Sequence, residues 1–305
     1  MRSVLASIAL WEREGNPDAW LNIDRVSVVF LPALPPTVRY LRISSCKRLR
    51  HLPPLPVDLQ VLSCKWCDSL QRLPPLPLGL VELTCEANAL RKLPALPPEL
   101  VVLECRFNKL QALPLLPDSI VKIDCAVNLL ATLPPLPPSL ITFECGNNCL
   151  QHLPPLPELL VTLECMKNVL RHLPPLPASL ETLNCNFNRL AVLPPLPASL
   201  RGLYVYCNRL QYMPTLPPGL RQLFCSRNAI AQLPNVPASL VDIGIPEGCQ
   251  VPADHAFSAA GPDNFRYICE RRYLQDSWQG VMEMQRAQAR VTLYKQLPSA
   301  ALMFV

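Results

Sequence analysis

Leu83-Thr84-Cys85-Glu86-Ala87-Asn88-Ala89-Leu90-Arg91-Lys92-Leu93-Pro94-Ala95-Leu96-Pro97 decides the fold, because the chain comes back to it. Cys85 is followed at intervals of 20 residues by Cys105, Cys125, Cys145, Cys165 and Cys185, and then by Val205, Cys225 and Ile245 in the same place. A fixed period of this length is the mark of a solenoid, in which each unit buries its apolar face only by stacking on its neighbours. Two earlier units run to 21 residues, with Ile43 and Cys64 in the strand position and Cys46 and Cys67 where later units carry Asn. A partial unit, 26–35, precedes them.

The residue types set the shape of the unit. Leu-x-Cys alternates inward and outward, which is strand periodicity. Asn88, Asn108, Asn128, Asn148, Asn168, Asn188, Asn208 and Asn228 mark the bend after each strand, where an amide can satisfy backbone groups otherwise buried unpaired. Leu-Pro-x-Leu-Pro cannot be helix interior: proline lacks an N–H and pushes its predecessor into extended conformation. The expected fold is an α/β leucine-rich-repeat solenoid of about ten units, a horseshoe with short parallel β-strands on the concave face. Its convex face is expected to be extended, near polyproline II. The chain divides into an N-terminal cap (1–25), the solenoid (26–245) and a connector with a C-terminal helical cap or tail (246–305).

Composition agrees with this division. Among 305 residues there are 37 Pro but only 9 Gly, and the prolines recur at fixed places, unlike those of a flexible linker. The net charge of +5 is spread along the chain and gives nucleic-acid binding no support. The 14 cysteines fall mostly one per unit, and stacked strands about 4.8 Å apart hold their side chains too far apart for a disulfide. They read as reduced core thiols suited to a reducing cytosol. Residues 1–10 carry a faint likeness to a signal peptide, but Trp11-Glu12-Arg13-Glu14 follows with no small-residue cleavage site, so a helix closing the solenoid end is expected. No run is long and apolar enough to span a bilayer, and membrane association is not expected.

The Leu-Pro-x-Leu-Pro-x-x-Leu-x-x-Leu-x-Cys-x-x-Asn-x-Leu unit resembles the short repeat of bacterial effectors of the YopM and IpaH type. Leu21-Asn22-Ile23-Asp24-Arg25-Val26-Ser27-Val28 resembles the strand that enters the solenoid in that family, after a helical cap with a Trp-Glu pair such as Trp11-Glu12. The exit from Leu233 to Ile243 also resembles the family's. The resemblance implies a right-handed, twisted horseshoe that holds host proteins, often kinases or signalling adaptors, in an infected cell. Some relatives add a ubiquitin-ligase domain, but only about 60 residues follow Ile245, and Cys269 lacks the Cys-x-Asp motif of that domain.

Function in a solenoid is read down columns of equivalent residues. The central concave column runs Arg42, Ser63, Thr84, Glu104, Asp124, Glu144, Glu164, Asn184, Tyr204 and Phe224. Four successive carboxylates at strand spacing repel one another and invite a cation, and Tyr204, Tyr206 and Phe224 form an aromatic patch beyond them. Candidate partner-binding residues are therefore Glu104, Asp124, Glu144, Glu164, Tyr204, Tyr206 and Phe224, with a basic segment of a protein as the ligand. Arg106 and Lys122 flank the ladder, so the carboxylates could equally serve to solvate the face. His152 and His172, with Cys149, make an incomplete set for zinc, and no metal or other cofactor is expected. No catalytic constellation appears. The leading expectation is a non-catalytic interaction scaffold, as an effector secreted into host cytoplasm. The alternatives are an adaptor or structural repeat protein of the producing organism or virus, or a ubiquitin-ligase-like enzyme using Cys269. The oligomeric state is left open.

Overall fold

The computed structural model describes residues 1–251. One helix, α1 (Arg2–Glu14), is followed by twelve strands: β1 (Trp20–Asp24), β2 (Tyr40–Ser44), β3 (Val61–Lys65), β4 (Glu82–Thr84), β5 (Val102–Glu104), β6 (Lys122–Asp124), β7 (Thr142–Glu144), β8 (Thr162–Glu164), β9 (Thr182–Asn184), β10 (Gly202–Tyr204), β11 (Gln222–Phe224) and β12 (Asp242–Gly244). They form one parallel sheet in strict chain order, so residues a period apart are neighbours in space. The sheet holds twelve strands against the ten or so units counted in the sequence. β1 lies within 1–25 and pairs in register with β2, Leu21 facing Leu41 and Ile23 facing Ile43.

The core is a stack of identical layers. Leu103, Cys105, Leu110 and Leu100 are fully buried, and so are their counterparts turn after turn, with Phe143 the bulkiest side chain wholly inside. Between strands the Leu-Pro-x-Leu-Pro stretches are neither helix nor sheet, as the prolines dictate. Each closes on a turn in which a leucine, isoleucine or, at Val38, valine N–H bonds the proline carbonyl three residues back, as Leu100 does to Pro97 at 3.3 Å.

Two ladders of side chains clamp the turns together. Each asparagine spans two units: Asn128 Nδ2 donates to the carbonyls of Cys105 (3.0 Å) and Cys125 (3.1 Å), while its Oδ1 accepts from the Leu110 N–H (3.0 Å). At the other bend, serines bond the preceding turn, Ser119 Oγ reaching the carbonyls of Pro98 and Leu100 at 2.7 Å each. The early units replace asparagine by a thiol in the same role: Cys46 Sγ donates to the carbonyl of Ser44 at 3.3 Å and, more weakly, to that of Ile23 at 3.7 Å. The residue just before each ladder position is left-handed in eleven turns, φ running from 52° to 60°, and none of the eleven is glycine. The stacking of the next turn, joined from Ala87 onward by the bonds of the neighbouring asparagine, holds these residues where an isolated chain would not stay.

α1 covers the open N-terminal end. Val4, Ile8 and Trp11 are buried on its inner face, and the Trp11 indole N–H donates to the Ala19 carbonyl at 2.9 Å. The helix stops at Gly15, whose φ of 62° ends it in the left-handed region. The C-terminal helical cap or tail expected beyond residue 251, and Cys269 within it, lie outside the described residues.

Candidate functional site

The concave column is a row of directly facing residues. Glu104 pairs in register with Asp124, Asp124 with Glu144, Glu144 with Glu164, Glu164 with Asn184, Asn184 with Tyr204 and Tyr204 with Phe224. At a strand separation of about 4.8 Å this is a continuous charged strip ending in aromatic rings.

The strip is electrostatically uneven. Lys122 Nζ lies 2.6 Å from Glu104, Lys65 Nζ is 3.5 Å from Glu86 and 3.8 Å from Glu104, and the Arg106 guanidinium is 3.4 Å from Asp124. Burial works against the Glu104 charge, but the hydrogen bond and charge of Lys122 with the charge of Lys65 outweigh it and hold the carboxyl below its usual range. Among the described residues no ion pair reaches Glu144 or Glu164. Burial pushes Glu164 up to about 7, against a side-chain hydrogen bond with Asn184, and the charge of Glu144 adds to the rise. Asp124 is almost wholly buried and is pushed up to about 6 by that burial, despite the Ala126 N–H and Arg106. The sequence places Arg106 and Lys122 beside the ladder; the part played by Lys65 was not read from it, because Lys65 belongs to a unit of different length.

The aromatic residues divide between two settings. Tyr204 and Phe224 stack face to face, centroids 5.5 Å apart and planes 4° from parallel, and the Tyr204 hydroxyl is tied to the Gln222 side chain. Tyr206 is 6% exposed: it packs edge-on against Phe187 at 5.2 Å with the Arg227 guanidinium over its ring. The first two present ring surface on the concave wall, whereas Tyr206 buttresses the edge beside them.

Nucleophilic chemistry has little to draw on in the cysteine column. The column thiols of Cys64, Cys85, Cys105, Cys125, Cys145, Cys165, Cys185 and Cys225 are free and buried, and burial pushes Cys64 up to about 12 and the others in the same direction. Cys149 is exposed and Cys207 half-buried. Among the described residues no group of three His, Cys, Asp or Glu side chains is placed to hold a metal ion, the His152, His172 and Cys149 neighbourhood included. No described helix is long and apolar enough to cross a membrane.

No family model and no curated protein matches the sequence. Solved structures do. YopM from Yersinia enterocolitica is 30% identical over 82% of this chain and 70% of its own, with a TM-score of 0.57. YopM from Yersinia pestis, described as a leucine-rich effector protein, is 30% identical over 74% of this chain and 77% of its own, with a TM-score of 0.59. The functional domain of InlJ from Listeria monocytogenes, described as including a cysteine ladder, shares the fold at 22% identity, 67% and 50% coverage and a TM-score of 0.51. Repeat solenoids of this architecture are scaffolds for protein interaction, their strands presenting columns of variable side chains on an extended concave wall. With identity and coverage of this order, the chain belongs to the YopM-like family of leucine-rich-repeat proteins.

Proposed function

We propose that this chain is a non-catalytic scaffold that holds a basic segment of a partner protein along the concave column, with an apolar side chain of that segment against Tyr204 and Phe224. The observation that carries this reading is the pair Glu144 and Glu164, facing one another and reached by no ion pair among the described residues, in a column where Glu104 and Asp124 are matched by Lys65, Lys122 and Arg106. The charge of Glu144 at strand spacing adds to the burial that holds the proton on Glu164, and an arriving cation favours the ionised pair, so part of the binding free energy is relief of that repulsion. The family's setting extends the proposal: an effector delivered into the reducing cytoplasm of a host cell, acting on host signalling proteins. Two stacks of support are the likeness to YopM, a leucine-rich effector, and a core of free thiols suited to a reducing compartment.

The test is charge reversal. Glu144→Lys with Glu164→Lys is expected to abolish capture of partners from host-cell lysate and binding of a defined lysine-rich peptide, while circular dichroism stays that of the wild type. Undiminished capture by the folded double variant would remove the column from the proposal.

A further inference from the structure

A second row of side chains accompanies the ladder. Val81, Val101, Val121, Ile141 and Val161 each stand immediately before a strand, β4 to β8 in turn. They are neighbours turn on turn: the N–H of Val121 bonds the Val101 carbonyl at 2.9 Å, that of Ile141 bonds Val121 at 2.8 Å, and that of Val161 bonds Ile141 at 2.9 Å. Their side chains are incompletely covered, Val81 and Ile141 at 40% exposure and the others half-buried, although β-branched aliphatics belong inside. The row stops where Glu181, Arg201 and Arg221 take over the position. From Val101 to Val161 it therefore accompanies the carboxylate stretch from Glu104 to Glu164, with Val81 one turn ahead beside Thr84.

The two rows fix the shape of what covers them. In each turn the aliphatic residue precedes the strand and stands three positions before the carboxylate, up to about 10 Å away at 3.3 Å per residue; Ile120 and Ile123 both turn inward, which leaves Val121 and Lys122 together at the surface, and each row repeats about every 4.8 Å across the sheet. An α-helix laid across the strands is about 10–12 Å wide and returns a residue to the same face every 5.4 Å, so after three steps it has drifted by only about 2 Å. An extended segment presents the same side about every 6.7 Å, and after three steps it is displaced by about 6 Å, more than a whole strand.

We propose that Val121, Ile141 and Val161 together with Glu144 and Glu164 receive an amphipathic basic α-helix of a partner protein, its apolar stripe on the rim and its cations on the open carboxylates. The inference rests on the reading that the column takes a cation, and it adds the form in which the cation arrives. Charge complementarity selects the partner's sign, and the matching repeat selects its secondary structure.

Two synthetic peptides of identical composition, about five helical turns long, separate the possibilities by fluorescence anisotropy with the full chain. One carries leucines at i, i+4, i+7 and i+11 with lysines on the adjoining face; the other is permuted to alternate, with no helical stripe. The helical peptide is expected to bind about tenfold or more tightly, since burial of a few aliphatic side chains is sufficient for that difference, and to gain helical dichroism on binding. Ile141→Asp is expected to bring its affinity down to that of the permuted peptide, and Val161→Thr, nearly isosteric, to do so in part. Equal binding of the two peptides by the wild type overturns the helix and leaves the acidic column standing. Binding of neither overturns both.

Discussion

The Asn128 side chain makes four hydrogen bonds from a buried position, donating to the carbonyls of Cys105 and Cys125 in successive turns and, at 3.3 Å, of Ala126, and accepting from the Leu110 N–H. Asn128→Ala leaves the Leu110 N–H dry and unpaired and takes one of two amide donors from the carbonyls of Cys105 and Cys125, which Asn108 and Asn148 still reach, at about 1–3 kcal/mol for a buried polar group left so. The expected loss is about 3 kcal/mol in urea unfolding, with the slope of the transition unchanged; a loss below about 0.5 kcal/mol would show that water replaces the amide. Asparagine was legible in the sequence because it recurs at one place with one physical use. The left-handed residue beside it was not. Ala87, Phe107, Val127, Lys167 and Arg227 share a backbone conformation and nothing in side-chain chemistry, so no composition signal marks the position. The serine ladder escaped for a related reason: Ser119, Ser139, Ser179, Ser199 and Ser239 alternate with Glu99, Leu159 and Gly219, which breaks the period.

In β6 to β8 the sheet carries carboxyls it would hold more cheaply as acids. Burial sets Asp124 at about 6 and Glu164 at about 7, while an unfolded chain releases those protons near pH 4. Between about pH 4 and 7 the folded chain thus binds more protons than the unfolded one, so stability falls as pH rises through that window. Glu104 runs the other way, held below its usual range by Lys122 and Lys65, and its contribution is lost only as pH falls through its own lower value. Thermal melts are expected to show a lower midpoint at pH 8 than at pH 5, by on the order of 1 kcal/mol for each raised carboxyl after allowance for partial exposure. Glu164→Gln should raise the midpoint at pH 8 and leave it unchanged at pH 5; a wild-type midpoint that climbed from pH 5 to 8 would contradict the assignment. The order of residues in this column followed from the period alone, since register in a stacked sheet is sequence spacing. Its charge balance did not, because Lys65 reaches Glu104 across a unit one residue longer than those after it. The turning of Tyr206 onto Phe187 likewise depends on packing at the sheet edge, which spacing does not express.

At the scale of the molecule, every described strand pairs only with its predecessor and successor, and the backbone bonds recur from junction to junction. Stability in such an array is close to a sum over units and their interfaces. Excision of residues 126–145 joins Cys125 to Gly146 and puts Cys125 in the place Cys145 held, so a shorter solenoid with a single cooperative transition is expected. Removal of only ten residues, 130–139, throws prolines into strand positions and should abolish folding of the turns around it, as circular dichroism and limited proteolysis would show.

The sulfur column gives this one-dimensional body a built-in ruler. A thiol that is inert while its turn is closed becomes alkylatable the moment the turn opens, and eight such groups stand at known addresses from Cys64 to Cys225. The rate at which each acquires a label, resolved by mass spectrometry of the fragments, converts the chain into a position-by-position record of where the spring loosens first.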